Sequence, residues 1–168
     1  MKYIRLISLS VITLSILGCG SYSFTGASIS PETKTFQVNY FQNNAPLIEP
    51  GLELTFTQAL QDLILNQTNL DLVNSSGDLV YEGEIVEYRI APTTATAQNT
   101  AAQNRLTIGV NVRFFDKNDP EADLEQRFSF YYDYPGSAQL IGSQKDTAIE
   151  EILDRLTQDI FNASLAKW

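Results

Sequence analysis

Cys19 is the only cysteine in a chain of 168 residues that holds no histidine. A nucleophile at Cys19 has no imidazole to act as its base, and neither a Ser-His-Asp nor a Cys-His arrangement can be assembled. His-ligated zinc is excluded for the same reason, and one cysteine makes neither an internal disulfide nor a CxxC metal site. The other chemically active groups are charges: Asp and Glu number 20, Lys and Arg 11, for a formal net charge of -9. Such a chain is a poor non-specific nucleic-acid binder, because that binding comes from basic groups neutralising phosphates. Carboxylate pairs for acid–base work occur only at the ordinary spacing of helix faces and turns. The run Asp116–Lys117–Asn118–Asp119–Pro120–Glu121 collects acids but lacks the glycine and closing glutamate of an EF-hand loop, so a solvated turn is expected there. No Walker or dinucleotide glycine pattern occurs. The expectation is a binding protein with no catalytic residue, metal or cofactor.

Two groups of side chains suit binding. Arg89, Arg105 and Arg113 fall on neighbouring strands and could gather into a small basic patch; the alternative is cross-strand pairing with Glu82, Glu84 and Glu87. Phe128, Phe130, Tyr131, Tyr132 and Tyr134 put aromatics on both faces of one strand. Most of them suit a core, while Tyr131 is expected on the opposite, open face, where an aromatic can anchor a partner.

Cys19 has its own context. Met1 to Arg5 is a short basic start, Leu6 to Leu17 is apolar apart from Ser8, Ser10, Thr13 and Ser15, and Gly18–Cys19 follows. This is the layout of a bacterial secretory signal. The apolar run is shorter than the ~20 residues a spanning helix needs. Ile16–Leu17–Gly18–Cys19 resembles a lipobox, where signal peptidase II cuts. The resemblance implies a signal peptide over residues 1–18 and a mature chain starting at Cys19, which carries covalent diacylglycerol and an N-acyl chain. Losing Lys2 and Arg5 leaves 20 acidic against 9 basic groups, a side-chain net charge of -11. The acyl chains alone then hold the membrane, since no basic patch is left for anionic lipids. Gly20, where some lipoproteins carry a retaining Asp, favours the outer membrane.

The elements that position these residues can be read from periodicity. Residues 19–33 form a Ser/Thr/Gly-rich tether, and residues 34–168 one domain. Thr35 to Tyr40 alternates as a half-buried strand, ended by a polar turn at Gln42–Pro46. Leu52, Phe56, Ala59, Leu60, Leu63 and Ile64 form one helical stripe within Gly51 to Gln67. Asp71 to Val73 is a candidate short strand. Leu79 to Ala91 is a long strand whose apolar phase switches face, which predicts a bulge, placed at Gly83. Pro92 to Asn104 is uncharged and low in complexity, as a mobile hairpin tip would be. Leu106 to Phe115 and Leu124 to Tyr134 are strands, and Ser143 to Leu165 is a helix with Ile149, Ile152, Leu153, Leu156, Ile160 and Leu165 on its stripe. The order β-α-β-β-β-α makes an α+β two-layer sandwich: a mixed four-stranded sheet with two helices packed on one face.

The start of the mature chain, Cys19–Gly20–Ser21–Tyr22–Ser23–Phe24–Thr25–Gly26, resembles the opening of the LptE family of lipopolysaccharide-assembly lipoproteins. Ser21 is one residue more than the commonest form. The likeness, to a Bacteroidota-like branch, continues through Phe41–Gln42–Asn43–Asn44–Ala45–Pro46, Thr57–Gln58–Ala59–Leu60, Gly77–Asp78–Leu79, Gly83–Glu84–Ile85, Asn104–Arg105–Leu106–Thr107, Asp159–Ile160–Phe161–Asn162–Ala163 and Trp168. It implies a non-enzymatic outer-membrane lipoprotein on the periplasmic face. Such a protein plugs the LptD β-barrel, assists its assembly and helps insert lipopolysaccharide into the outer leaflet. Direct lipopolysaccharide contact would need a local patch at Arg89, Arg105 and Arg113, because the acidic chain as a whole repels phosphates. A periplasm-facing lipoprotein of another envelope complex, as a pilot or ligand-binding module, is the alternative.

Overall fold

The computed structural model of the protein describes residues 29–95 and 101–166. Residues 1–28, with the signal peptide, Cys19 and most of the tether, lie outside the described residues, as do 96–100 and Lys167–Trp168. The elements are β1 (Thr35–Val38), β2 (Gln42–Asn43), α1 (Leu52–Gln67), β3 (Asp71–Leu72), β4 (Leu79–Ala95), β5 (Ala101–Asp116), a short 3-10 turn (Pro120–Ala122), β6 (Leu124–Pro135) and α2 (Gly142–Leu165). The sheet has six strands in the order β3-β1-β4-β5-β6, with β2 also on β4. It is mixed: β1, β2 and β3 pair parallel, while β4, β5 and β6 form an antiparallel meander.

The α+β class and two-helix layer hold, but the expected four strands become six. β2 falls in the segment expected to be only a turn. Its two residues add to β4 beside Glu84 and Ile85, and two residues show no alternation to read. The candidate strand at Asp71–Val73 is real, contracted to Asp71–Leu72 on the far side of β1.

The phase fault in β4 is also real, but it lies beyond Gly83. Gly83 pairs in register with Val112, and the shift falls between Ile85 and Glu87, leaving Val86 as the extra residue. Tyr88 and Ile90 thereby return to the face of Leu79, Tyr81 and Ile85. Gly83 answers a different need. A Cβ there would stand 2.0 Å from the Asn111 carbonyl oxygen and 2.7 Å from Phe41 Cε1. The ring of Phe41 lies over the bare glycine and meets Phe56 of α1 edge-on at 4.9 Å.

The hairpin ladder reaches further than expected. Pro92↔Asn104, Thr94↔Gln103 and Ala95↔Ala101 are paired, with register shifts around Thr94. Proline is tolerated at position 92 because β2 ends at the level of Ile85, leaving the other side of β4 without a neighbour.

The large buried apolar residues of the long strands share one face. Leu106, Ile108, Val110, Val112 and Phe114 of β5 are fully or almost fully buried, opposite Ile90, Tyr88, Ile85, Gly83 and Tyr81 of β4. The stripes of α1 (Leu52, Phe56, Leu60, Ile64) and α2 (Ile152, Leu153, Leu156, Ile160) close over this face in one cluster. Each such fully buried side chain contributes about 1.5–3 kcal/mol by area. The helices are tied to the sheet and to each other by polar contacts. The Tyr81 hydroxyl meets Ser164 Oγ at 2.8 Å, Gln67 Nε2 donates to Gln158 Oε1 at 3.0 Å, and Lys145 pairs with Glu49 at 2.7 Å.

Candidate functional site: the open face of the sheet

The face turned away from the helices carries alternate residues of each strand: Glu82, Glu84, Glu87 and Arg89 from β4, Arg105, Thr107, Asn111 and Arg113 from β5, and Glu125, Arg127, Tyr131 and Asp133 from β6. Tyr131 stands on it, 45% exposed, as its phase in the strand predicts.

The three arginines expected to gather are all on this face but do not form one patch. Arg105 and Arg113 lie on one strand about 26 Å apart, at the roughly 3.3 Å rise of a strand residue. Each arginine is held by an acid. Arg113 Nε donates to Glu82 at 2.9 Å. Arg105 grips Asp133 with Nε at 2.7 Å and Nη2 at 2.8 Å, and its guanidinium lies 3.5 Å over the Tyr131 ring. Arg89 Nε takes one oxygen of Glu87 at 2.8 Å, and Arg127 Nη2 takes the other at 2.6 Å. Ion pairing thus prevails over a bare basic patch: Arg113 takes Glu82 across the strands, Arg89 takes Glu87 of its own strand, and Arg105 takes Asp133 rather than a β4 glutamate. Glu84 accepts from amides instead, with Asn44 Nδ2 at 2.8 Å and Asn111 Nδ2 at 3.5 Å.

Several members of the face were not picked out in the sequence, Asp133, Arg127 and Gly109 among them. Arg127 shares the phase of Tyr131, which was the available signal. Gly109 lies between Glu87 and Ser129 on the strands flanking it. With no side chain on β5 at that point, Glu87 reaches across the middle strand to Arg127. A Cβ at Gly109 would sit 3.1 Å from Glu87 Cβ and 3.2 Å from Arg127 Nη2.

Two of the ion pairs shift groups on the face. Hydrogen bonding from Arg105 holds the Asp133 carboxyl below the usual carboxylate range, and the same bond raises Arg105. The hydrogen bond to Glu82 raises Arg113. Both shifts on the Arg105–Asp133 pair favour its charged form. Arg89 and Arg127 keep the most freedom, with side chains 57% and 54% exposed. They line a cleft of about 430 Å³ together with Pro46, Leu47, Tyr88 and Ile90. Burial, with Glu49 alongside, pushes the Tyr88 phenol up to about 12.

The acidic turn is built from its own carboxylates. Asp116 Oδ1 accepts from the backbone of Asn118 at 2.8 Å and of Asp119 at 3.2 Å, and Asp123 Oδ1 accepts from Asp116 N at 2.9 Å. Among the described residues no group of three or more His, Cys, Asp or Glu side chains could hold a metal ion. Among them, too, no helix is long and apolar enough to cross a membrane.

The fold is a helix-backed mixed sheet whose open polar face carries paired charges. Solved structures share the fold. Uncharacterized lipoprotein B from Nitrosomonas europaea is 13% identical, with a TM-score of 0.55 over 85% of this chain and 87% of that one. A hypothetical protein from Chlamydia trachomatis is 12% identical, with a TM-score of 0.52 over 76% and 93%. A PelC dodecamer from Paraburkholderia phytofirmans is 9% identical, with a TM-score of 0.50 over 84% and 94%. No curated protein matches the sequence. The family profile of LptE, lipopolysaccharide-assembly, matches residues 33–164, and the chain belongs to that family. Membership makes it a non-catalytic, lipid-anchored outer-membrane lipoprotein facing the periplasm, with the family's part in bringing lipopolysaccharide into the outer membrane beside LptD.

Proposed function

We propose that the protein docks within the LptD β-barrel through the open face of its sheet, assisting barrel assembly and lipopolysaccharide insertion. The family match over residues 33–164 carries the reading. The face supports it: a sheet whose charges are already paired suits the polar interior of a barrel, because docking leaves few buried charges unmatched. Co-purification from a detergent extract tests it. The lipoprotein is expected to travel with a large outer-membrane β-barrel; its recovery alone, while the barrel stays intact, would sink the reading.

Cys19 is the proposed attachment point for diacylglycerol and an N-acyl chain, on the strength of the residues before it. The intact mass of the membrane-extracted protein checks this, and a chain still starting at Met1 would refute it.

Lipopolysaccharide contact, where it occurs, belongs at the hairpin end of the face. Arg89 and Arg105 lie near that end on neighbouring strands, and Arg89 and Arg127 border a cleft with apolar Leu47 and Ile90. A lipid that carries both phosphates and acyl chains suits that mixture. Arg89→Ala with Arg105→Ala is expected to weaken lipopolysaccharide binding about tenfold at low salt, on the scale of charge-assisted contacts. Unchanged affinity would remove these residues from the site.

A further inference from the structure

The two edges of the sheet are unlike. β3 ends it with two residues, too short to take another strand. β6 ends it with 12 residues, in unbroken register with β5 from Phe114↔Leu124 to Gln103↔Pro135. No bulge interrupts β6, and within the strand no proline precedes Pro135. Within β6 only Phe128 and Tyr134 are buried. The outer edge therefore presents a row of backbone N–H and C=O groups beside aromatic side chains, the pattern that natural proteins blunt or cover.

We propose that in the lipoprotein not docked in a barrel β6 pairs antiparallel with β6 of a second copy of this chain, about a two-fold axis through Phe130. Charge selects the register. Residues directly opposite in an antiparallel pair share a face, so a two-fold pairing sets odd positions against odd and even against even. An axis at Ser129 would put Glu125 against Asp133, like against like. An axis at Tyr131 would put Ser129 against Asp133 and Arg127 against Pro135, with no match. The axis at Phe130 puts Arg127 of each copy opposite Asp133 of the other. On the helix side it sets Phe128 against Tyr132, an aromatic cross-strand pair. The Arg127 side chain is 54% exposed and that of Asp133 31% exposed, so each can meet the second copy while keeping Glu87 and Arg105. The charges on β6 thus match in one register, clash in the register about Ser129 and find no partner in the register about Tyr131.

The test uses the full chain in detergent. Phe130→Cys is expected to form a disulfide dimer on mild oxidation, because on-axis Cα atoms lie about 4.5–5.5 Å apart, within disulfide reach. Gln126→Cys is the control: its two copies would be roughly 26 Å apart and should not crosslink. Arg127→Asp or Asp133→Arg alone should lower the dimer fraction in sedimentation about tenfold. The double variant should restore it, although the pairs with Glu87 and Arg105 stay broken. Those charge reversals sit at exposed positions and keep the test open should Phe130→Cys fail to fold. A monomer at every concentration, equal crosslinking at Gln126 and Phe130, or no rescue by the double reversal overturns the proposal. A strand from another protein on the β6 edge would show as the first of these.

Discussion

At the scale of single residues, two positions carry structural weight out of proportion to their size. Gly83 is the first. With the Asn111 oxygen 2.0 Å and Phe41 Cε1 2.7 Å from where a Cβ would stand, the obstacle is backbone on one side and a buried ring on the other. Gly83→Ala should destabilise by about 3 kcal/mol, the upper end of the overpacking range, read as a lower denaturation midpoint in urea. Asp78 is the second. Its Oδ2 accepts from Lys34 N at 3.0 Å, Thr35 N at 3.1 Å and Thr35 Oγ1 at 3.0 Å, clamping the entry of β1 to the start of β4. The backbone donation from Lys34, then the Thr35 hydroxyl, holds this carboxyl below its ordinary 3.8. A depressed carboxyl contributes stability that is complete above the unfolded value and is lost as pH falls through the folded one. Asp78→Ala should therefore cost about 1–2 kcal/mol at pH 7, with the gap to the parent closing in acid below pH 3.8. A constant gap from neutral to acid would show that the carboxylate charge is irrelevant. Neither role was legible in the sequence. Gly83 read as the site of a bulge, because a glycine inside a strand signals a bulge and a close approach equally well, and the approaching ring comes from 42 positions earlier in the chain.

At the scale of elements, periodicity served wherever an element is long and half-buried. The stripes of α1 and α2 and the faces of β5 and β6 stand where alternation placed them, because one side of each meets the core and the other meets water. It failed at β2, two residues that form a strand only because β4 offers a free edge, and it ran one residue long at β3. It also failed for pairing partners: Arg105 meets Asp133 rather than a β4 glutamate, since register between strands is a tertiary fact. The link between α2 and β4 tests this level. Tyr81 is fully buried, and its hydroxyl lies 2.8 Å from Ser164 Oγ, which itself donates to Ile160 O at 2.8 Å. Tyr81→Phe removes one bond and leaves Ser164 still hydrogen-bonded, for about 1 kcal/mol. Ser164→Ala strands a buried phenol with no acceptor, for about 2 kcal/mol, despite deleting the smaller group. Thermal unfolding of the two variants decides; a larger loss for Tyr81→Phe would mean that packing of the phenol, rather than its satisfaction, holds α2 on the sheet.

At the scale of the whole molecule, the charge is unevenly spread. The outward side of the helix layer carries Asp62, Asp146, Glu150, Glu151 and Asp154, while Lys145 is taken up by Glu49 and Arg155 by Asp159. The open face instead sets Arg89, Arg105, Arg113 and Arg127 against Glu82, Glu87 and Asp133 at 2.6–2.9 Å. The acidity of the sequence therefore describes one side of the protein and misdescribes the other. This bears on which side meets the barrel. A helix layer docked on a basic wall would be held by long-range attraction and should weaken steeply with salt, since charges are screened beyond about 3 Å at 1 M. The paired face has little net field to screen, and its contacts are short-range. Docking through the sheet predicts that the complex with the barrel, once formed in detergent, survives a wash from about 0.15 M to 1 M salt with its stoichiometry unchanged. Release of the lipoprotein over that range would place the interface on the acidic helices, and would leave the arginine ladder as reinforcement of the sheet.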